Sequence, residues 1–349
     1  MIGTKRIFCW LLPLFAAVLP VQAETLRIAT YDPSLTRDGP GLLLRDLTAG
    51  KDRQIDAVVA VIAGVSPDIL LLTGFDWDLQ GAALRAFQAR LAAAGADYDH
   101  LYAPRPNTGM ATGLDLDGDG RKGGPRDAQG YGLFSGADGM ALLSRLPIRT
   151  EEARDFSAFL WNDLPDSLID GADLTPEARA LQRLSTTAHW DVPVTLPDGS
   201  ALSLRAFAAT PPVFDGPEDR NGRRNHDETA FWLRYQEGRL PVAPHPGPFI
   251  VLGYIGLDPA KGEGRRPALQ QLMARMTDPL PEWIDESGDR SSDTADYGGS
   301  VGRLRVDYVL PSSDLTVTGS GVYWPAGAEG ETAARASRHR LVWVDVALP

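Results

Sequence analysis

With 349 residues, 43% of them hydrophobic, the chain can bury one sizeable core or two small ones. Its formal charge of −12 opposes a polyanion, which excludes a polybasic nucleic-acid binder and disfavours tight nonspecific nucleic-acid binding unless a local basic patch overrides the field. The only cysteine, Cys9, sits in the apolar N-terminal stretch, so beyond it the chain has no disulfide, thiol nucleophile or cysteine metal ligand.

Lys5 and Arg6 precede an apolar run from Ile7 to Val21, and Val21-Gln22-Ala23 supplies small residues at the positions a signal peptidase reads. This pattern predicts a signal peptide over residues 1–23, cleaved before Glu24, and a mature chain, 24–349, that is exported as a periplasmic or secreted single domain. Loss of Lys5 and Arg6 takes the charge from −12 to −14. No later stretch holds about 18 uninterrupted apolar residues, so no transmembrane segment is expected after signal removal.

Strands are predicted at Leu26–Asp32, Asp68–Thr73, Met140–Arg145, Thr187–Leu196, Leu202–Thr210, Phe249–Gly256, Arg305–Pro311, Thr316–Trp324 and Arg340–Leu348. Some alternate apolar and polar residues; others are continuous apolar runs, as suits strands covered on both faces. Helices are predicted at Arg53–Ala63, where Ile55, Val58, Val59 and Ile62 share a face, and at Ala82–Ala94, Pro176–Leu184, His226–Gln236 and Pro267–Met276. Early interleaving followed by a run of strands implies mixed sheets covered by helices. Four long segments, Asp32–Lys51, Pro104–Gly139, Pro211–Asn225 and Trp283–Gly302, read as loops, and their placement after strands predicts that they gather at one rim.

Three motifs carry candidate chemistry. Asp115, Asp117 and Asp119, followed by Gly120, place carboxylates at alternate positions around a sharp turn, as a calcium loop does. The twelfth position, where such a loop needs a bidentate Glu, holds Arg126, with Asp127 one step later. The segment is therefore either a Ca²⁺-stiffened loop or a solvated acidic turn. The second motif spans Thr210 to Glu228, where Arg220, Asn221, Arg223 and Arg224 offer forked donors suited to phosphate or carboxylate. Asn225 stands where it can cap the following helix. The adjacent acids Asp215 and Asp219 leave open a loop that neutralises itself. In the third, Ser337-Arg338-His339-Arg340, His339 offers a general acid or base or a structural imidazole, and Arg338 favours its neutral form.

As a set, Leu26–Tyr31, Pro67–Leu72, Gly139–Ile148, Arg305–Pro311 and His339–Asp345 have the order and spacing of the endonuclease/exonuclease/phosphatase family, the deoxyribonuclease-like metal-dependent phosphoesterases, which the mature chain resembles over nearly its whole length. The segment from Pro211 to Glu228 looks like a bacterial subgroup of secreted members. The resemblance implies an α+β fold: a four-layer α/β sandwich of two mixed β-sheets packed face to face, helices outside, and the active site at one end.

The departures from the family pattern concentrate where it does its chemistry. Asp32 stands where the family has Asn, Gly74 where it has a metal-binding Glu, and Ala208 where it has a catalytic His. Its Gly-Asp-x-Asn turn reads Gly253-Tyr254-Ile255-Gly256, and its Ser-Asp-His reads Ser337-Arg338-His339. Asp307 and His339 are retained as catalytic-type residues, and the family's counterpart of Asp307 supports the His replaced by Ala208. Metal-assisted phosphoester hydrolysis needs carboxylates around a cation and an oriented water, so catalytic Mg²⁺ or Mn²⁺ is not expected. The leading expectation is an inactive exported binding module whose cleft holds an anion through Arg338 and the arginines of 220–224, its partner an unidentified anionic ligand or an envelope protein. The alternative is a metal-dependent phosphoesterase with a rearranged site drawn from Asp32, Asp76, Asp78, Asp293, Asp296, Asp307 and His339. A third possibility is a calcium-stiffened structural protein.

Overall fold

The computed structural model describes residues 25–285 and 287–348. The expected signal peptide lies outside the described residues, within which no helix is long and apolar enough to cross a membrane. In chain order the first half contains β1 (Thr25–Tyr31), α1 (Leu42–Ala49), α2 (Arg53–Val65), β2 (Ile69–Phe75), α3 (Ala82–Ala93), β3 (His100–Tyr102), β4 (Gly139–Ser144), β5 (Arg154–Asp155) and α4 (Pro176–Leu181). There follow β6 (Ala188–Thr195), β7 (Ala201–Ala208), α5 (Arg220–Gln236), β8 (Phe249–Tyr254) and α6 (Pro267–Arg275). Four short strands come next: β9 (Trp283–Ile284), β10 (Arg290–Ser291), β11 (Ala295–Asp296) and β12 (Arg303–Leu304). The chain closes with β13 (Asp307–Pro311), β14 (Val317–Val322), α7 (Gly327–Ala336) and β15 (Val342–Ala347).

Two large mixed sheets result, ordered β14-β15-β1-β2-β4-β3 and β13-β8-β7-β6-β5. Each holds one parallel pair, β1 with β2 and β7 with β8, flanked by antiparallel neighbours. Side-chain alternation assigns the layers. Leu26, Ile28, Ile69 and Leu71 join Leu202, Leu204, Ile250 and Leu252 in the core between the sheets. Ala29, Tyr31, Leu70 and Leu72 turn outward onto α1, α2 and α3. On the other side Phe207, Val251, Tyr308 and Leu310 face Phe231 and Trp232 of α5 and Leu269 of α6. Helices, sheet, sheet, helices: the four-layer α+β sandwich is as expected, and it leaves the carboxyl ends of both parallel pairs at one end.

Some boundaries differ from the sequence reading. Leu42–Ala49 is helical inside a segment read as loop, flanked by Gly41 and Gly50 in left-handed conformations at φ 76 and 62. Gly327–Ala336 is also helical, although its buried residues are only Ala333 and Ala336, too small to mark an apolar stripe. Helix α5 begins at Arg220, six residues before the expected start, so Asn225 is an interior residue and not a cap. Its amide donates to the carbonyls of Thr210 (2.7 Å) and Ile255 (2.6 Å), tying α5 to the ends of β7 and β8.

Candidate functional site

The cleft lies where β1 and β2 of one sheet and β7, β8 and β13 of the other reach the same end of the sandwich. Register places Ala208, Tyr254 and Asp307 side by side on three adjacent strands. Across from them, Asp32 follows β1 and Gly74 sits in the bulge that closes β2. Gly74 has φ 64, and a Cβ there would lie 2.3 Å from Asp32 Oδ1. The carboxylate thus fills the space that any side chain at position 74 would need. Its Oδ1 accepts the Ser34 backbone N–H at 2.8 Å. A similar exchange occurs opposite: Gly256 has φ 71, and a Cβ there would meet the Tyr254 ring at 3.0 Å.

His339 occupies the floor, 5% exposed. Its Nδ1 donates to Asp307 Oδ2 at 2.9 Å, and its Nε2 stands 3.8 Å from Asp32 Oδ2. Burial disfavours the charged ring, but the carboxylates of Asp307 and Asp32 outweigh it and push the imidazole pKa up to about 9, Arg338 opposing them. Here the structure corrects the sequence reading, which had Arg338 favour a neutral ring: two nearer acids prevail. Thr294 aligns Asp307, donating from Oγ1 to Oδ2 at 2.9 Å while accepting the backbone N–H groups of Val306 and Asp307 at 3.0 Å. The rings of Tyr254 and Tyr297 meet His339 edge-on at 5.6 and 5.8 Å. Both phenols are raised above their usual range, mainly by burial, so each stays a neutral hydroxyl.

At the mouth, Arg335, Arg338 and Arg340 line a cavity of about 490 Å³ with Ser34, Gln54 and Ser337. Arg335 and Arg338 are exposed and have no carboxylate partner among the described residues. The Arg338 guanidinium lies 5.8 Å from the Tyr297 ring centre. Arg340 is buried; it donates to the carbonyls of Ser337 (2.6 Å) and His339 (3.0 Å), and its Nε is unpartnered. Asp296 also lines this cavity but is bonded to Arg303 at 3.1 Å.

The remaining candidates are held elsewhere. Arg220 donates to the carbonyls of Ala172 (3.1 Å), Leu116 (3.0 Å) and Asp173 (3.3 Å), Arg223 to that of Glu218 (2.9 Å), and the Asn221 amide to that of Val213 (2.7 Å). Arg224 is buried, donating to the carbonyls of Leu184, Gln129, Arg183 and Ser185. These donors brace the fold and do not line the arginine cavity, where the sequence reading includes Arg340 in the third motif without a role and misses Arg335. Asp76 accepts the N–H groups of Arg37 (2.8 Å) and Asp138 (3.1 Å), and Asp78 those of Ala82 (2.9 Å) and Ala83 (2.8 Å) at the start of α3. Asp293 is paired with Lys261. Asp115, Asp117 and Asp127 bring carboxylate oxygens within 4.8 Å of one another, without Asp119. Several loop amides already point at this cluster: Gly118 and Gly120 at Asp115, Leu116 and Gly124 at Asp127.

Comparison with known proteins follows the same lines. The profile of the endonuclease/exonuclease/phosphatase family matches residues 43–339. The fold superposes on an endonuclease/exonuclease/phosphatase from Beutenbergia cavernae DSM 12333 with a TM-score of 0.58 at 16% identity, covering 93% of this chain and 72% of that one. A family protein from Leptotrichia buccalis C-1013-b gives 0.54 at 13% identity over 93% of this chain and 100% of that one. At such identities the likeness concerns the fold alone. No curated protein matches the sequence.

Proposed function

This chain belongs to the endonuclease/exonuclease/phosphatase family, and on that premise we propose that it is an exported binding module that holds an anionic group in its cleft and does not run metal-dependent phosphoester hydrolysis. The observation that carries the proposal is the occupied space at position 74, where a Cβ would lie 2.3 Å from Asp32 Oδ1. Gly74 offers no ligand where the resemblance implies a metal-binding carboxylate, and any side chain there meets Asp32 as it stands.

The surrounding donors argue the same way. Mg²⁺ and Mn²⁺ want several oxygen ligands and little competing positive charge. Here the oxygens of Asp32 already face Ser34 and a protonated His339, Asp307 accepts from the same ring, and Asp138 accepts the Thr36 hydroxyl. Among the described residues these carboxylates do not converge as metal ligands do. The acid of the family's Gly-Asp-x-Asn turn is Tyr254, a neutral phenol, and Arg338 adds positive charge. The set does not fit a divalent cation. It suits an anion at the mouth, where Arg335 and Arg338 have free guanidinium groups. Export rests on the N-terminal sequence pattern.

The test is hydrolysis by the purified mature protein of phosphodiester, phosphomonoester and DNA substrates with Mg²⁺, Mn²⁺ or Ca²⁺, against EDTA and a His339→Ala control. The expected result is no turnover above the control. Metal-dependent turnover that EDTA and His339→Ala both abolish would sink the proposal and leave a rearranged phosphoesterase as the reading.

A further inference from the structure

At the opposite end of the second sheet, between its outer face and the helices α5 and α6, lies a cavity of about 360 Å³. Phe249 on its wall is five residues along β8 from Tyr254 of the cleft, or roughly 17 Å at about 3.3 Å per residue. The space equals about a dozen waters. Trp232, Leu233, Leu272 and Met276, contributed by and next to the helices, form an apolar side, while Arg275, already paired with Glu237 at 2.6 Å, and Asp314 stand on the polar side.

One wall group is out of place in such a setting. Arg205, pointed outward from β7 by the strand's alternation, is 1% exposed. Its guanidinium lies 3.4 Å over the Phe249 ring, and Nη1 donates to Gln236 Oε1 at 2.6 Å. Nε and Nη2 are buried with no hydrogen-bond partner. The neighbouring acid, Asp191, is already committed to Ser203, to Tyr235 at 2.6 Å and to Arg154 at 3.8 Å. Burial therefore lowers the Arg205 pKa to about 10, with Asp191 only partly opposing it. Proteins rarely leave two donors of a buried cation unmet, because each costs its full desolvation.

The unmet pair has a recognisable shape. Nε–H and Nη2–H run parallel along one edge of the guanidinium, and elsewhere in this molecule Arg27 uses that edge to hold both oxygens of Asp345 at 2.8 Å each. We propose that the cavity between β7, β8, α5 and α6 binds a small monocarboxylate with an apolar body, its carboxylate gripped side-on by Nε and Nη2 of Arg205. A single parallel edge matches a planar carboxylate, and the apolar side matches a hydrocarbon tail. Asp314, which also lines the cavity, repels a dianion such as a phosphate monoester more strongly. The edge is shielded from water as the side chains stand, with the Phe249 ring 3.4 Å from the guanidinium, so entry requires wall side chains to rotate. This site is separate from the cleft and does not rest on its reading.

Isothermal titration of the mature protein with octanoate and with octan-1-ol separates the carboxylate from the tail. The expected result is one octanoate per chain, bound at least roughly tenfold more tightly than the alcohol. Arg205→Met should erase that preference. Leu272→Trp, which fills the cavity but leaves Arg205 in place, should abolish binding of both ligands in a protein that keeps its circular dichroism spectrum. Equal affinities for the two ligands would overturn the proposal. So would octanoate binding that survives Leu272→Trp, or no heat from octanoate up to about 10 mM, where a site with a Kd of about 1 mM is already mostly filled.

Discussion

The buried pair of His339 and Asp307 sets a pH dependence that can be worked out in sign and size. An imidazole ordinarily titrates near 6.5, and this one is pushed up to about 9. Because the folded value lies above the unfolded one, the pair's contribution is fully present below about pH 6.5 and is lost as pH rises through about 9. At 1.36 kcal/mol per pH unit, the displacement is worth about 3 kcal/mol. A gross attraction at 2.9 Å of about 6 kcal/mol, taking an effective dielectric constant near 20, leaves a burial cost of similar size, so the figure is self-consistent. Two other acids titrate inside this window: burial raises Glu228 to about 7, and burial with the charges of Asp32 and Asp76 raises Asp138 to about 7. Both still lose stability as pH rises from about 6 to about 7, so the His339 share is read from the difference between wild type and variant. Burial lowers His189 to about 4, leaving it neutral throughout. Urea unfolding at about pH 6 and about pH 9.5 should therefore show the wild type losing about 3 kcal/mol that His339→Gln does not lose. The variant should also be the less stable at about pH 6, by about 3–5 kcal/mol, because Asp307 is then buried without its partner. A wild-type stability that is flat across the window, or an imidazole that titrates near 6.5 by NMR, would refute the reasoning.

Gly74→Ala should destabilise the protein by about 2–4 kcal/mol in chemical denaturation, combining a left-handed backbone with a contact against Asp32. Adding Asp32→Gly should recover the contact share and not the backbone share, whereas a cost below about 0.5 kcal/mol for Gly74→Ala alone would show the space to be open. For the loop at Asp115, Asp117 and Asp127, we propose weak Ca²⁺ binding. With a Kd near 1 mM, about 10 mM Ca²⁺ should add about 1.4 kcal/mol of stability, seen as a rise in Tm that Asp127→Asn removes. An unchanged Tm would assign the cluster to the loop's own amides.

What the sequence could and could not reveal follows from the range of the interactions. The apolar alternation that puts Ile28 between the sheets and Tyr31 under the helices is local, so the strands were legible. Helix α7 was not, because alanines and glycines leave no stripe to count. The polar start of α5 reads as loop because its support comes from afar: Arg224 is satisfied by carbonyls about 40 and 95 residues away, which no periodicity reports. The same limit hid Arg335, whose place beside Arg338 and Arg340 depends on how α7 docks. The cleft shows the limit most clearly. Asp32, Gly74, Tyr254 and Gly256 are each legible as departures from the family, and in sequence they look like independent losses. In space they form two pairs: Gly74 lies against the Asp32 carboxylate, and Gly256 against the Tyr254 ring, which is larger than the family's acid. A single reversion at position 74 meets Asp32, and one at position 256 meets Tyr254. A side chain at 256 therefore requires a smaller residue at 254, or an overpacking cost of about 1–3 kcal/mol, whereas at 74 the Asp32 side chain, isosteric with the family's Asn, has only to turn aside. The barrier at 256 gives a physical reason for the acid and the amide of the turn to be absent together.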